Sequence, residues 1–163
     1  MSSPNPRGPE SAGVSAVLAL VLATISFFAL AVFGLGALSF ATDADIIAVP
    51  GLGQIPGALG MLVAAAVMAA LLWSALRRPR ATFRSAPVIA VGTALGHLIA
   101  VWVAVALVRG DLIVATAVAG HLIGGGASIV ILAAAAVAAW GGIALRRTRA
   151  QHPQWPWERD EEE

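Results

Sequence analysis

The chain has 163 residues, of which 59% are hydrophobic and only 12% charged. A water-soluble domain of this size carries about 25% charged residues, so too little charge is present to coat a solvated surface, and lipid is the implied solvent. Cysteine and lysine are both absent. That excludes disulfides, thiolate metal sites, cysteine nucleophiles, phosphate-loop lysines and Schiff-base lysines together. An alanine-heavy, lysine-free composition fits a GC-rich bacterial genome.

Charges fall in clusters, and the gaps between them are long. Residues Ser11 to Thr42, Ile46 to Leu76, Ser85 to Val108 and Leu112 to Leu145 carry none. A crossing of a ~30 Å hydrocarbon core takes roughly 20 apolar residues. Each gap therefore holds one span and none comfortably holds two. The expected fold is an all-α, polytopic membrane protein, a bundle of four transmembrane helices at about 13–41, 57–76, 86–108 and 119–145. Residues 1–12 form a flanking segment and 146–163 a tail that is basic, then Trp/Pro-rich, then acidic.

The first span has an apolar run longer than the 7–15 residues of a signal-peptide core, so it is read as a retained helix. Pro50, Gly51, Gly53 and Pro56 break the chain before the second. Pro87 sits in the first turn of the third, where a missing N–H costs little. The start of the fourth is open: Leu112 to Ala119 reads as outer loop, interfacial turn or further helix.

Arginine sets the expected orientation. Arg7, Arg77, Arg78, Arg80, Arg84, Arg146, Arg147, Arg149 and Arg159 fall on one side of a four-span hairpin, and Arg109 stands alone on the other with Asp43, Asp45 and Asp111. Positive charge is retained inside, so both termini are expected in the cytoplasm, at a bacterial inner membrane. The three aspartates read as solvated loop charges, since no ligand loop surrounds them.

Apolar burial cannot hold helices together in lipid, so close backbone approach must. Gly92 and Gly96 form a Gly-x-x-x-Gly pair, as do Gly120 and Gly124. The run Gly124, Gly125, Gly126 and Ser128 is dense enough to mark a tight crossing or a local distortion. Gly96-His97-Leu98-Ile99 recurs as Gly120-His121-Leu122-Ile123, a short match that reads as chance in so apolar a chain.

His97 is the sharpest chemical feature. It falls at the centre of the third span, where ionisable residues are costly and usually face the bundle interior. Ala90, Thr93, Ala94, Ala100 and Ala104 share its face, whereas Val88, Leu95, Ile99 and Trp102 fall opposite and suit lipid. Thr24 and Ser26 lie at matching depth in the first span and are candidate hydrogen-bond partners, with Thr93 the local one. The plainer reading is a neutral histidine acting as packing glue; the functional one is a proton or ligand site. His121, counted along one unbroken helix, belongs near the outer interface and away from His97. Gly126-Ala127-Ser128 has a passing likeness to the intramembrane serine proteases, but Ile129 stands where glycine is needed, and no catalytic role is carried to Ser128 or His97.

In the tail, Trp155 and Trp157 flank Pro156 ahead of an acidic end. Tryptophan suits the interface; a Trp-Pro-Trp segment also suits a partner groove. The lysine-free spans, Asp43-x-Asp45-Ile46-Ile47 and the Trp-Pro-Trp-Glu ending together resemble small uncharacterised four-span membrane proteins of actinobacteria. That resemblance implies a location in the membrane and no particular activity. The expected function is a non-enzymatic accessory or assembly partner, in contact with the lipid bilayer and with a membrane-protein partner or a second copy. No cofactor, metal or nucleic acid is expected. The alternative is a small transporter or channel subunit that uses His97.

The arginine asymmetry fixes a topology that reporter fusions can read. Fusions after Arg80 and Glu163 should report the cytoplasm, and fusions after Asp45 and Arg109 the outside. An external signal at the C-terminus would require an odd number of spans.

Overall fold

The computed structural model describes residues 14–43, 53–78 and 82–147. They form five helices: α1 (Ala16–Thr42), α2 (Ile55–Leu76), α3 (Ser85–Arg109), α4 (Leu112–Gly124) and α5 (Ala127–Arg147). Four of them, α1, α2, α3 and α5, are long and apolar enough to cross a membrane. At 13 residues α4 is not, since it rises only ~20 Å.

Local chemistry accounts for the helix ends. The Ser15 hydroxyl accepts from the Leu18 amide at 3.1 Å and caps α1. Pro56 sits in the first turn of α2. The Ser85 hydroxyl donates to the Thr82 carbonyl at 2.6 Å at the entry to α3. At the C-terminal end of α3, Gly110 takes a left-handed conformation with φ 66°. Asp111 then accepts from the amides of Ile113 and Val114 at 2.8 and 3.3 Å, and so caps α4. This gives Asp111 a structural job in place of the loop charge the sequence suggests.

The expected fourth span, about 119–145, is two helices in the structure. Gly125 and Gly126 separate them, and Gly126 has φ 87°, a conformation only glycine adopts without strain. The region from Leu112 is thus helix, and the glycine run is a break in direction. Because α4 folds back along α3, counting residues down one straight helix misplaces everything above the break, His121 included.

The four long helices stand at the corners of a square. α3 packs between α2 and α5, and α1 between the same two. α2 and α5 touch across the middle, so α1 and α3 occupy opposite corners without direct backbone contact. The main buried cluster lies toward the arginine-rich side and is largely alanine. Ala19, Ala23, Ala64, Ala135 and Ala139 surround Phe27, Met68 and Leu72. A second cluster, of Val101, Val105, Ala115, Val118, Leu122 and Ala127, joins α4 to the C-terminal part of α3. The register explains why α4 is needed there. Gly60, five residues into α2, meets His97 and Val101, which lie 12 and 8 residues from the end of α3. α2 therefore stops roughly one to two turns short of the C-terminal end of α3, and α4 covers the exposed remainder.

Glycine sets the closest approaches. A Cβ on Gly60 would strike Val101 Cγ2 and lie 3.3 Å from His97 Nε2. A Cβ on Gly142 would lie 3.0 Å from Ala23 Cβ and 3.2 Å from Leu72 Cδ2. By contrast, Gly120 has nothing within 4 Å of its Cβ position. Two alanine substitutions should therefore move stability in opposite directions. Gly60→Ala should cost about 1–3 kcal/mol through overpacking against a branched neighbour. Gly120→Ala should add about 0.5–1 kcal/mol through helix propensity. Unfolding in mixed micelles, followed by helicity, measures both; a stabilised Gly60→Ala would contradict the packing described.

Candidate functional site

His97 lies 12 residues from each end of α3, about 18 Å from either, and only 5% of it is exposed. Its inward face is built as the helical periodicity requires. Ala90, Thr93 and Ala104 are buried beside it, while Val88, Leu95 and Ile99 stand exposed on the far side. The ring lies against Gly60 of α2, where the missing side chain makes room for it. Gly92 and Gly96 lie against the neighbouring Leu71 and Val67 of α2, a Cβ on either coming to 2.7 and 3.1 Å. That pair sits at the α2–α3 contact and holds His97 close to α2.

The proposed hydrogen-bond partners do not meet the ring. Thr93, fully buried one turn away, donates its hydroxyl to the Ile89 carbonyl at 2.8 Å. Thr24 donates to the Leu20 carbonyl of its own helix at 2.9 Å. Ser26 is exposed and lines a groove between α1 and α5. The reason is the order of helices around the bundle. Thr24 and Ser26 share a depth with His97, but α1 stands at the corner opposite α3. As a result His97 Nδ1 is buried with no hydrogen-bond partner. A neutral imidazole offers one donor and one acceptor, so burial of Nδ1 leaves one of them unused. Among the described residues no carboxylate or hydroxyl orients the ring, and no cluster of three or more metal-ligating side chains forms.

Ser128, in the first turn of α5, also buries its hydroxyl oxygen without a partner. Gly125 donates its amide to the His121 carbonyl at 2.7 Å, which ends α4. Gly120 and Gly124 face open space, so this pair joins no two helices of the chain. They share the exposed side of α4 with Thr116 and His121. His121 is ten residues from Asp111, ~15 Å along α4, and stands exposed. Trp102, expected to face lipid, is half covered by α4 and donates its indole N–H to Thr116 Oγ1 at 3.3 Å. Trp155 and Trp157 lie outside the described residues.

Two features escape the sequence reading. Asp111 directly after Gly110 and ahead of an apolar run is a helix-start signal, and it was available. The stack of Phe83 on Trp140, with ring centroids 5.8 Å apart, and of Arg147 over Phe83 at 4.8 Å joins segments far apart in sequence. No local pattern announces it.

Comparison with known proteins agrees with this picture and adds no activity. A family model described as a family of unknown function (DUF6121) matches residues 11–163. The match covers nearly the whole chain, and the chain belongs to that family. No curated protein and no solved structure matches it.

The unpartnered Nδ1 yields a stability test. Replacing the ring with an apolar side chain of similar bulk removes an unsatisfied buried atom. His97→Leu should leave unfolding in mixed micelles unchanged or raise stability by up to about 1 kcal/mol. A loss of about 2 kcal/mol or more would show that the ring holds the fold together by a bond of its own.

Proposed function

We propose that this member of a family without an assigned activity is a non-enzymatic accessory protein that assembles with another membrane protein in a bacterial inner membrane, its arginine-rich side cytoplasmic. The observation that supports this reading is the outer side of α4. Gly120 and Gly124 leave open space there, and His121 stands exposed beside them. Within lipid a polar side chain finds no hydrogen-bond partner, whereas small residues let a second backbone come close. A transmembrane helix carrying a polar side chain of its own meets both conditions.

A second reading draws on the unpartnered nitrogen of His97. A water, proton or small polar solute bonded there would make the chain a transport subunit. The bland role, a histidine that simply packs against Gly60, needs no such guest. The His97→Leu chain separates them when it is reconstituted in vesicles beside wild type. Equal pH-dependent solute uptake in both removes the transport reading.

The assembly reading predicts a difference between two purifications in mild detergent. Wild type should retain a stoichiometric membrane-protein partner, or a second copy of itself. Gly120→Leu/Gly124→Leu should fold normally, since both side chains enter open space, and should lose that partner. Wild type running alone as a monomer would overturn the assembly role. A partner retained by the variant would overturn its placement on α4.

A further inference from the structure

Between α1 and α5 runs an open apolar groove of about 430 Å³. Leu22, Ser26 and Leu30 line it on α1, and Val137, Trp140 and Gly141 on α5. Along either helix the lining advances eight steps, from 22 to 30 and from 137 to 145. That is ~12 Å at 1.5 Å per residue, close to the ~15 Å of one leaflet's hydrocarbon. The groove opens sideways and meets the end of α5 at Leu145, directly before Arg146 and Arg147.

Charge and ring stacking then mark its end. Arg146 and Arg147 are exposed in the last turn of α5. Arg146 donates one of its five N–H groups to the Val14 carbonyl at 3.2 Å, which holds it beside the start of α1. Arg147 lies over Phe83, and Phe83 stacks on Trp140, which is itself part of the groove wall. The described carboxylates, Asp43 and Asp111, stand at the other ends of the helices. An apolar channel one leaflet long thus ends at two fixed guanidinium groups.

We infer that this groove seats one acyl chain of an anionic phospholipid from the arginine-side leaflet, with its phosphate on Arg146 and Arg147. Guanidinium suits phosphate because its planar N–H fork can bond two oxygens at once. Trp140, in the groove wall and linked through Phe83 to Arg147, turns an amphipathic ring toward the arginine end. Neighbouring glycines divide the work in the wall. Gly142 is packed against Ala23 and Leu72, whereas a Cβ on Gly141 would meet nothing within 4 Å. Gly141 keeps the groove open without serving the helix contact.

That division makes a clean experiment. The full chain is purified in mild detergent and titrated with phosphatidylglycerol or with phosphatidylcholine of the same acyl chains. Bound lipid is counted by native mass spectrometry. Wild type should hold one phosphatidylglycerol in preference to phosphatidylcholine. Arg146→Gln/Arg147→Gln should bind it about thirtyfold more weakly, at roughly fivefold per charge, and lose the preference. Gly141→Leu fills the groove and should lose both lipids while its helicity is retained. Gly36→Leu makes the same change at another open position, outside the groove, and should behave as wild type. Undiminished phosphatidylglycerol binding by Gly141→Leu would overturn the site, and absence of a preference in wild type would overturn the role of the arginines.

Discussion

Lipid tails solvate an apolar helix as well as leucine does, so this bundle depends on backbones that approach closely enough for dispersion to favour protein over lipid. The requirement is met at a few glycines and many alanines. Gly60 accepts Val101 and His97, and Gly142 accepts Ala23 and Leu72. Each contact ties a different pair of helices. Between them lies a core with few bulky members, in which Phe27, Met68 and Leu72 fill the space that alanine cannot. Everything else in the fold is arranged around helices drawn this close.

Close packing also determines where polarity ends up. His97 fits because Gly60 has no side chain, and the same contact shuts the ring away from hydroxyls elsewhere in the bundle. α2 and α5 touching at the centre keep α1 from reaching α3. The hydroxyls of Thr24 and Thr93 therefore turn back to carbonyls of their own helices, an arrangement any helix in lipid can offer. Polar groups at the Gly110 end of the bundle behave differently. There α2 is short, α4 covers α3 in its place, and Trp102 and Thr116 bond across that newer contact.

The four spans were legible because uncharged gaps in a chain this apolar have one physical use. The inward face of His97 was legible for a related reason: small and large residues segregate around α3, and the buried and exposed positions follow that segregation. Depth, too, can be counted along a helix. What cannot be counted is which helix stands beside which, and that is why Thr24 and Ser26, at the right depth, belong to the wrong corner. The break at Gly126 was visible only as a dense patch of glycine. In a chain rich in glycine everywhere, composition does not separate a bend from a close contact; Gly92 and Gly96 make contacts, while Gly120 and Gly124 make none within the chain.

The two glycines that bracket α4 give it a mechanical character of its own. Gly110 and Gly126 both hold left-handed backbone, with φ 66° and 87°, so each turns the chain sharply where a side chain would be strained. Between the turns α4 is anchored by Ala115, Val118 and Leu122 and by a single indole–hydroxyl bond. The alanine core toward the arginine-rich side includes none of its residues. α4 is accordingly a splint on the far end of α3, set off by a glycine turn at either end and packed apart from the alanine core.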